Sequence, residues 1–264
     1  MSAAPSAVER RSDRHVRFMG WWLERFLRRH MNGLRVAAWG MPSIPKGGSF
    51  VVYSNHPSWW DAAVYMVLAR RLFADVACYA PMDALMLARY RVFERIGVFP
   101  VEPESVRGAL AFLGACREIL SSPGRAVWVT AQGRFADVRQ RPLRLRAGVS
   151  RLVEATRATH VVPLAIEYAF WTERGAEVLV AFGPPMATGD LAALDRPSRE
   201  TRLEETLAAL MDQLAGEACS RDPARFVSLL EGRPGIGGLY DLWRRAAALA
   251  SGRRFEPAHR VRTE

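Results

Sequence analysis

The sequence predicts an α/β fold: a mainly parallel central sheet flanked by helices, with an amphipathic helix at the N-terminus and a helical C-terminal segment. Three observations carry this expectation. Short runs rich in β-branched and aromatic residues alternate with longer stretches of helical periodicity, the pattern of βαβ units. The chain has 264 residues, 50% hydrophobic and 24% charged, so one large domain can bury a substantial core without disulfides or a structural metal. Residues with chemical potential cluster directly after the strand-like runs, where open α/β sheets collect ligands.

Residues 1–13 read as a loose tail. From 14 to 31, Phe18, Met19, Trp22, Leu23, Phe26 and Leu27 recur at i, i+4 and i+8, an apolar stripe on a helix. Arg17, Glu24, Arg25 and Arg28 fall on the other side. This pattern fits either a helix lying in a lipid headgroup layer or a helix packed on the core. Trp21 and Trp22 favour the lipid interface. Residues 33–46, with Pro42 and Pro45, read as a strand and turn, and 49–54 (SFVVYS) as a buried strand. A helix is expected over 61–72, a strand over 75–79, a helix over 84–96 and a strand over 97–101. Then follow a helix over 105–121, a strand over 125–130 (RAVWVT), a helix over 148–157, and strands over 160–168 (HVVPLAIEY) and 177–182 (EVLVAF). Residues 199–251 read as helical, broken at Pro223 and at 234–238. The expected organisation is a tail and membrane-contacting helix over 1–32, a core over 33–190, and a helical extension packed on it over 191–264.

The net charge is +10, from 37 Lys and Arg against 27 Asp and Glu, and Lys46 is the only lysine. A basic surface attracts nucleic acid, anionic lipid or acidic proteins. The arginines are dispersed and no nucleic-acid fold signature appears, so a nucleic-acid partner is not expected. Cys78, Cys116 and Cys219 lack metal-ligand spacing and read as buried thiols in a reducing compartment. No apolar run reaches the roughly 18 residues of a membrane span and no secretory leader is evident, so a peripheral position is expected.

The segment Asn55-His56-Pro57-Ser58-Trp59-Trp60-Asp61 carries the chemistry. A strand delivers His56, and Asp61 opens the next helix. On one continuous helix, positions five apart point about 140° away from each other. Pro57 forces a turn instead, and that turn lets Asp61 fold back onto the imidazole. Asp61 then accepts the Nδ1 proton and leaves the other ring nitrogen free as a general base for a substrate hydroxyl. Taken alone, the same pair also fits a plain N-cap beside a loop histidine. A tetrahedral oxyanion would need backbone N–H donors, with the turn at Gly133 or a helix N-terminus as candidates.

The surrounding blocks favour the catalytic reading. Asn-His-x-x-x-x-Asp after an apolar strand resembles the first motif of the 1-acylglycerol-3-phosphate acyltransferase family, also called the glycerolipid or lysophospholipid acyltransferases. Gly97-Val98-Phe99-Pro100-Val101 sits where that family has a glycine-led second block. Gln132-Gly133-Arg134 sits where it has Glu-Gly-Thr-Arg, and Val161-Val162-Pro163-Leu164-Ala165 resembles its fourth block. The resemblance covers roughly residues 33–185. It implies phospholipid-type acyl transfer at the cytoplasmic face of a membrane, from acyl-CoA or acyl-carrier protein to a lysolipid hydroxyl. It also implies no metal, no further cofactor and no covalent acyl-enzyme. His56 is then the base, Asp61 its orienting partner, and Asn55, Gly97, Gln132, Gly133 and Arg134 the substrate-binding residues.

Two departures bear on the acceptor. The family's second block ends in an arginine that meets the acceptor phosphate, where this chain reads Val101-Glu102-Pro103. The third block carries glutamate, where this chain has Gln132, and Arg134 falls one place early with Phe135 behind it. Arg134, Arg139, Arg141, Arg144 and Arg146 could rebuild a phosphate site or form a solvated basic face. The acceptor headgroup therefore stays open between lysophospholipid, aminolipid and glycolipid. Trp59 and Trp60 are candidates for an acyl channel or for core, and Tyr240, Trp243, Arg244 and Arg245 for a second membrane contact or a capping helix. A hydrolase would need a nucleophile elbow, which is missing. A catalytically altered lipid-binding relative is the remaining alternative.

Overall fold

The computed structural model describes residues 5–45, 47–102, 104–156 and 158–232. The segment thought to be a loose tail holds a short helix, α1 (Ala7–Arg10). Ser6 and Glu9 close a capping box around its N-terminus, and Arg10 pairs with Glu94 at 2.9 Å. The expected amphipathic helix is α2 (Asp13–His30), running directly into β1 (Met31–Ala37). Next come β2 (Phe50–Ser54), α3 (Asp61–Leu72), β3 (Ala77–Asp83) and α4 (Ala84–Arg89). The helix expected over 84–96 is broken at Tyr90. A 3-10 turn (Arg91–Ile96) finishes it, and Gly97 ends that turn at φ +95°, a conformation that favours glycine.

The chain continues through β4 (Val98–Val101), α5 (Val106–Ile119), β5 (Arg125–Thr130), α6 (Gly148–Ala155), β6 (His160–Ala169) and β7 (Ala176–Phe182). After β8 (Met186–Ala187), α7 (Thr188–Ala192) and α8 (Arg196–Ser220), a further strand appears, β9 (Phe226–Glu231). Phe226–Glu231 is thus extended where helix was expected. Tyr240, Trp243, Arg244 and Arg245 lie outside the described residues.

The sheet order is β4-β3-β5-β2-β6-β7-β1-β9, with β8 beside β6. Pairs from β4 through to β6 are parallel, as is β7 with β1, because helices carry the chain back between those strands. β6 and β7 form an antiparallel hairpin, and β9 runs antiparallel on β1 as an edge. Alternation along the strands splits the core into two layers. Val51, Tyr53, Val161 and Ala165 pack under α5, α6 and α8. Phe50, Val52, Val162, Leu164 and Ile166 pack under α2 and α3 with Leu27, Val64 and Leu68. Each such aliphatic side chain stabilises the fold by roughly 1.5–3 kcal/mol when fully buried.

One surface assignment is reversed. Glu24, expected on the outer face of α2, is buried at 7% exposure and meets Arg28, Arg70 and Arg71 between α2 and α3. Of the predicted apolar stripe, Phe18 and Trp22 are exposed at 61% and 45% while Leu27 is buried, and neighbouring Trp21 is exposed at 49%. Among the thiols Cys116 is buried, Cys78 half-buried and Cys219 exposed, so the expectation of three buried thiols fails for Cys219.

Candidate active site

The ends of β2, β5 and β6 build the site. After Ser54, β2 stops pairing through its backbone and Asn55 takes over with its side chain. Its Nδ2 donates to the Ile166 carbonyl at 2.8 Å and its Oδ1 accepts the Ile166 N–H at 2.9 Å. Asn55 is buried at 1% exposure, and this amide pair ties the loop to β6. Below it, Ser54 Oγ donates to the Asn55 carbonyl and contacts the Tyr65 hydroxyl, which burial keeps protonated.

His56 is held by its backbone on both sides. Its N–H donates to Gln132 Oε1 at 3.0 Å, and its carbonyl accepts the Ala136 N–H at 3.0 Å. Gln132 Nε2 in turn donates to the Leu143 carbonyl at 3.1 Å. Both ends of the Gln132 amide are therefore committed to protein, and the residue is 2% exposed.

The imidazole Nδ1 lies 2.6 Å from Asp61 Oδ2. The side chain of His56 is 21% exposed, whereas that of Asp61 is 1% exposed. Pro57 turns the chain, and Asp61 begins α3 with its N–H on the Ser58 carbonyl. Asp61 Oδ2 also accepts the Ser58 N–H at 3.2 Å, and Oδ1 accepts the Tyr168 hydroxyl at 2.7 Å. A carboxylate facing three donors acts as an acceptor, so the shared proton sits on Nδ1 and Nε2 offers its lone pair outward. Phe135 covers the imidazole with ring centroids 4.3 Å apart and is itself 58% exposed.

Sequence reasoning missed Tyr168. Burial, reinforced by the Asp61 charge, pushes its hydroxyl far above the usual tyrosine range, so it remains a donor. The parity of β6 was the available signal: Val162, Leu164 and Ile166 face α3, and Tyr168 is next on that face.

The remaining expected residues separate. Gly133 adopts φ +60° in the turn beside His56, and a Cβ there would come 2.5 Å from the Arg146 side chain. Arg134 follows, exposed and without an ion-pair partner among the described residues. Gly97 is not brought to the site. It lies at the N-terminal end of β4 beside Tyr79, below the strand ends that carry His56, and a Cβ would come 2.8 Å from the Cys78 carbonyl. In the second block, Glu102 accepts from Ser105 Oγ at the start of α5. Among the loop arginines, Arg139 chelates Asp137 at 2.9 and 2.8 Å, Arg141 pairs with Asp212, and Arg146 with Glu104. Among the described residues no group of three or more His, Cys, Asp or Glu is placed to hold a metal ion.

An open cavity of about 520 Å³ adjoins the pair, bounded by Pro57, Ser58, Trp60, Tyr168, Arg139 and Arg174. Trp60 connects it to α2 through an aromatic ladder. Trp22 stacks on Phe26 at 5.2 Å, and Phe26 meets Trp60 at 5.1 Å and His30 at 4.6 Å. Trp59, beside it, is 66% exposed.

A family model described as Acyltransferase matches residues 35–167, about half of the chain, ending one residue before Tyr168. The crystal structure of the 1-acyl-sn-glycerophosphate (LPA) acyltransferase PlsC from Thermotoga maritima is similar in fold. It has a TM-score of 0.50 and 13% sequence identity, covering 76% of this chain and 79% of that one. No curated protein matches the sequence.

Proposed function

Because this chain belongs to the acyltransferase family, we propose that it transfers a fatty acyl group from acyl-CoA or acyl-carrier protein to the hydroxyl of a lysophospholipid or related lipid. The observation that carries the reading is the 2.6 Å contact between His56 Nδ1 and the buried Asp61. Nε2 takes the proton from the acceptor hydroxyl as its oxygen attacks the thioester carbonyl. The tetrahedral intermediate then collapses, the carbon–sulfur bond breaks, and the imidazolium returns the proton to the departing thiolate. Asp61 stabilises the imidazolium in between.

The reaction takes place at a membrane surface, peripherally on its cytoplasmic side. No helix among the described residues is long and apolar enough to cross a membrane. The outer face of α2 instead offers Phe18, Trp21 and Trp22 among exposed Arg14, Arg25 and Arg29, and the Arg25 guanidinium lies 5.2 Å over the Trp21 ring. Aromatic rings with cationic neighbours suit a headgroup layer. Gln132 supports the silent lipid-binding alternative poorly, since its amide holds the His56 loop.

The test is acyl transfer from labelled acyl-CoA and acyl-carrier protein into a panel of lysolipids that differ in headgroup. Labelled diacyl product with at least one donor and acceptor is expected. Folded protein that binds vesicles but forms no product with any pair would contradict the reading.

A further inference from the structure

Asp61 has two oxygens, and the described residues divide between them. Oδ2 receives the His56 ring and the Ser58 N–H, while Oδ1 receives the Tyr168 hydroxyl alone, at 2.7 Å. We propose that Tyr168 is a positioning residue for acyl transfer, which orients and partly neutralises the Asp61 carboxylate so that His56 keeps its tautomer and its orientation while its basicity is moderated. This rests on His56 and Asp61 being the catalytic pair.

Three features support it beyond the single contact. Tyr168 comes from β6, the strand to which Asn55 is tied, so the donor to Asp61 and the loop carrying His56 share one rigid support. Asp61 is wholly buried, so water does not substitute for a lost donor without reorganisation. Tyr168 also lines the open cavity together with Pro57, Ser58 and Trp60 of the loop that joins His56 to Asp61. The titratable groups around it are Asp61, His56 and Tyr65 from the loop and α3. Across the cavity stand His30, Asp137, Arg139 and Arg174, of which Asp137 and Arg139 neutralise each other.

The expected consequence has a sign. Removing the hydroxyl leaves the Asp61 charge less dispersed, so it holds an imidazolium more tightly and His56 titrates at higher pH. In Tyr168→Phe the acid limb of the kcat/KM profile should move up by about half a pH unit or more. The loosened imidazole should lower kcat by about tenfold, because small misplacements of a base are costly. KM for donor and acceptor should change by less than about twofold, since the ring remains in the cavity wall.

The experiment compares wild type, His56→Ala and Tyr168→Phe by pH–rate profile, and follows the His56 imidazole in wild type and Tyr168→Phe by nitrogen NMR titration. A raised acid limb and a matching upward His56 titration in Tyr168→Phe support the inference. Unchanged limb and titration overturn it, as does a rise in acceptor KM with an unmoved limb, which would make Tyr168 only a wall. If His56→Ala still transfers acyl groups, the catalytic pair falls and this inference with it. If only His56→Ala is dead and Tyr168→Phe is indistinguishable from wild type, only the inference falls.

Discussion

Gln132 and Asn55 separate holding the proposed base from touching substrate. Both stand in blocks that resemble substrate-binding motifs, yet each amide is engaged at both its oxygen and its nitrogen by backbone groups. Gln132→Ala strips the His56 N–H and the Leu143 carbonyl of their partners, at a cost of about 1–3 kcal/mol in stability. Urea unfolding should register that loss, and kcat should fall while the lysolipid KM stays near its original value. A raised KM with kcat preserved would return Gln132 to the substrate. The His56–Asp61 contact was legible in the sequence because Pro57 and the strand–helix junction leave little choice of path. The Tyr168 contact was not, because it joins positions 107 residues apart and depends on which face of β6 meets α3.

At the scale of elements, α2 shows why periodicity alone misplaced its faces. The buried side is narrow, with Gly20, Glu24 and Leu27, because Arg70 and Arg71 on α3 bring cations that make a buried carboxylate tolerable. Burial opposes the charge on Glu24, but Arg28 and Arg71 outweigh it and hold the carboxyl below its usual range. The large aromatics are thereby turned outward. Replacing Trp21 and Trp22 together by alanine should weaken sedimentation with anionic vesicles by about tenfold or more, while the unfolding midpoint stays almost unchanged. Equal vesicle binding by the double variant would remove α2 from the membrane contact. β9 escaped the sequence reading for a related reason. Phe226 and Leu230 are buried but the register against β1 slips between Leu34 and Arg35, which blurs the alternation that marks a strand.

For the whole molecule, the order of strands and helices from β1 to β7 was readable, since each buried strand is a compact apolar run between helical stretches. The added edge of the sheet and the exact docking of α2 were not, because they depend on partners distant in sequence. The architecture brings His56, Asp61, Gln132 and Tyr168 from β2, α3, β5 and β6 to one end of the sheet, and leaves Gly97 at the other end of its strand. The net charge of +10 and the outward aromatics are what the proposed contact with an anionic surface rests on, and the Trp22–Phe26–Trp60 ladder joins the cavity to α2. The central claim is that this assembly serves a base. It is tested most directly by single-turnover acyl transfer with His56→Ala, on protein shown to fold and to bind vesicles like the wild type. Transfer reduced by about a thousandfold or more, with lipid binding intact, is the expected result. Transfer within a few fold of wild type would contradict the account.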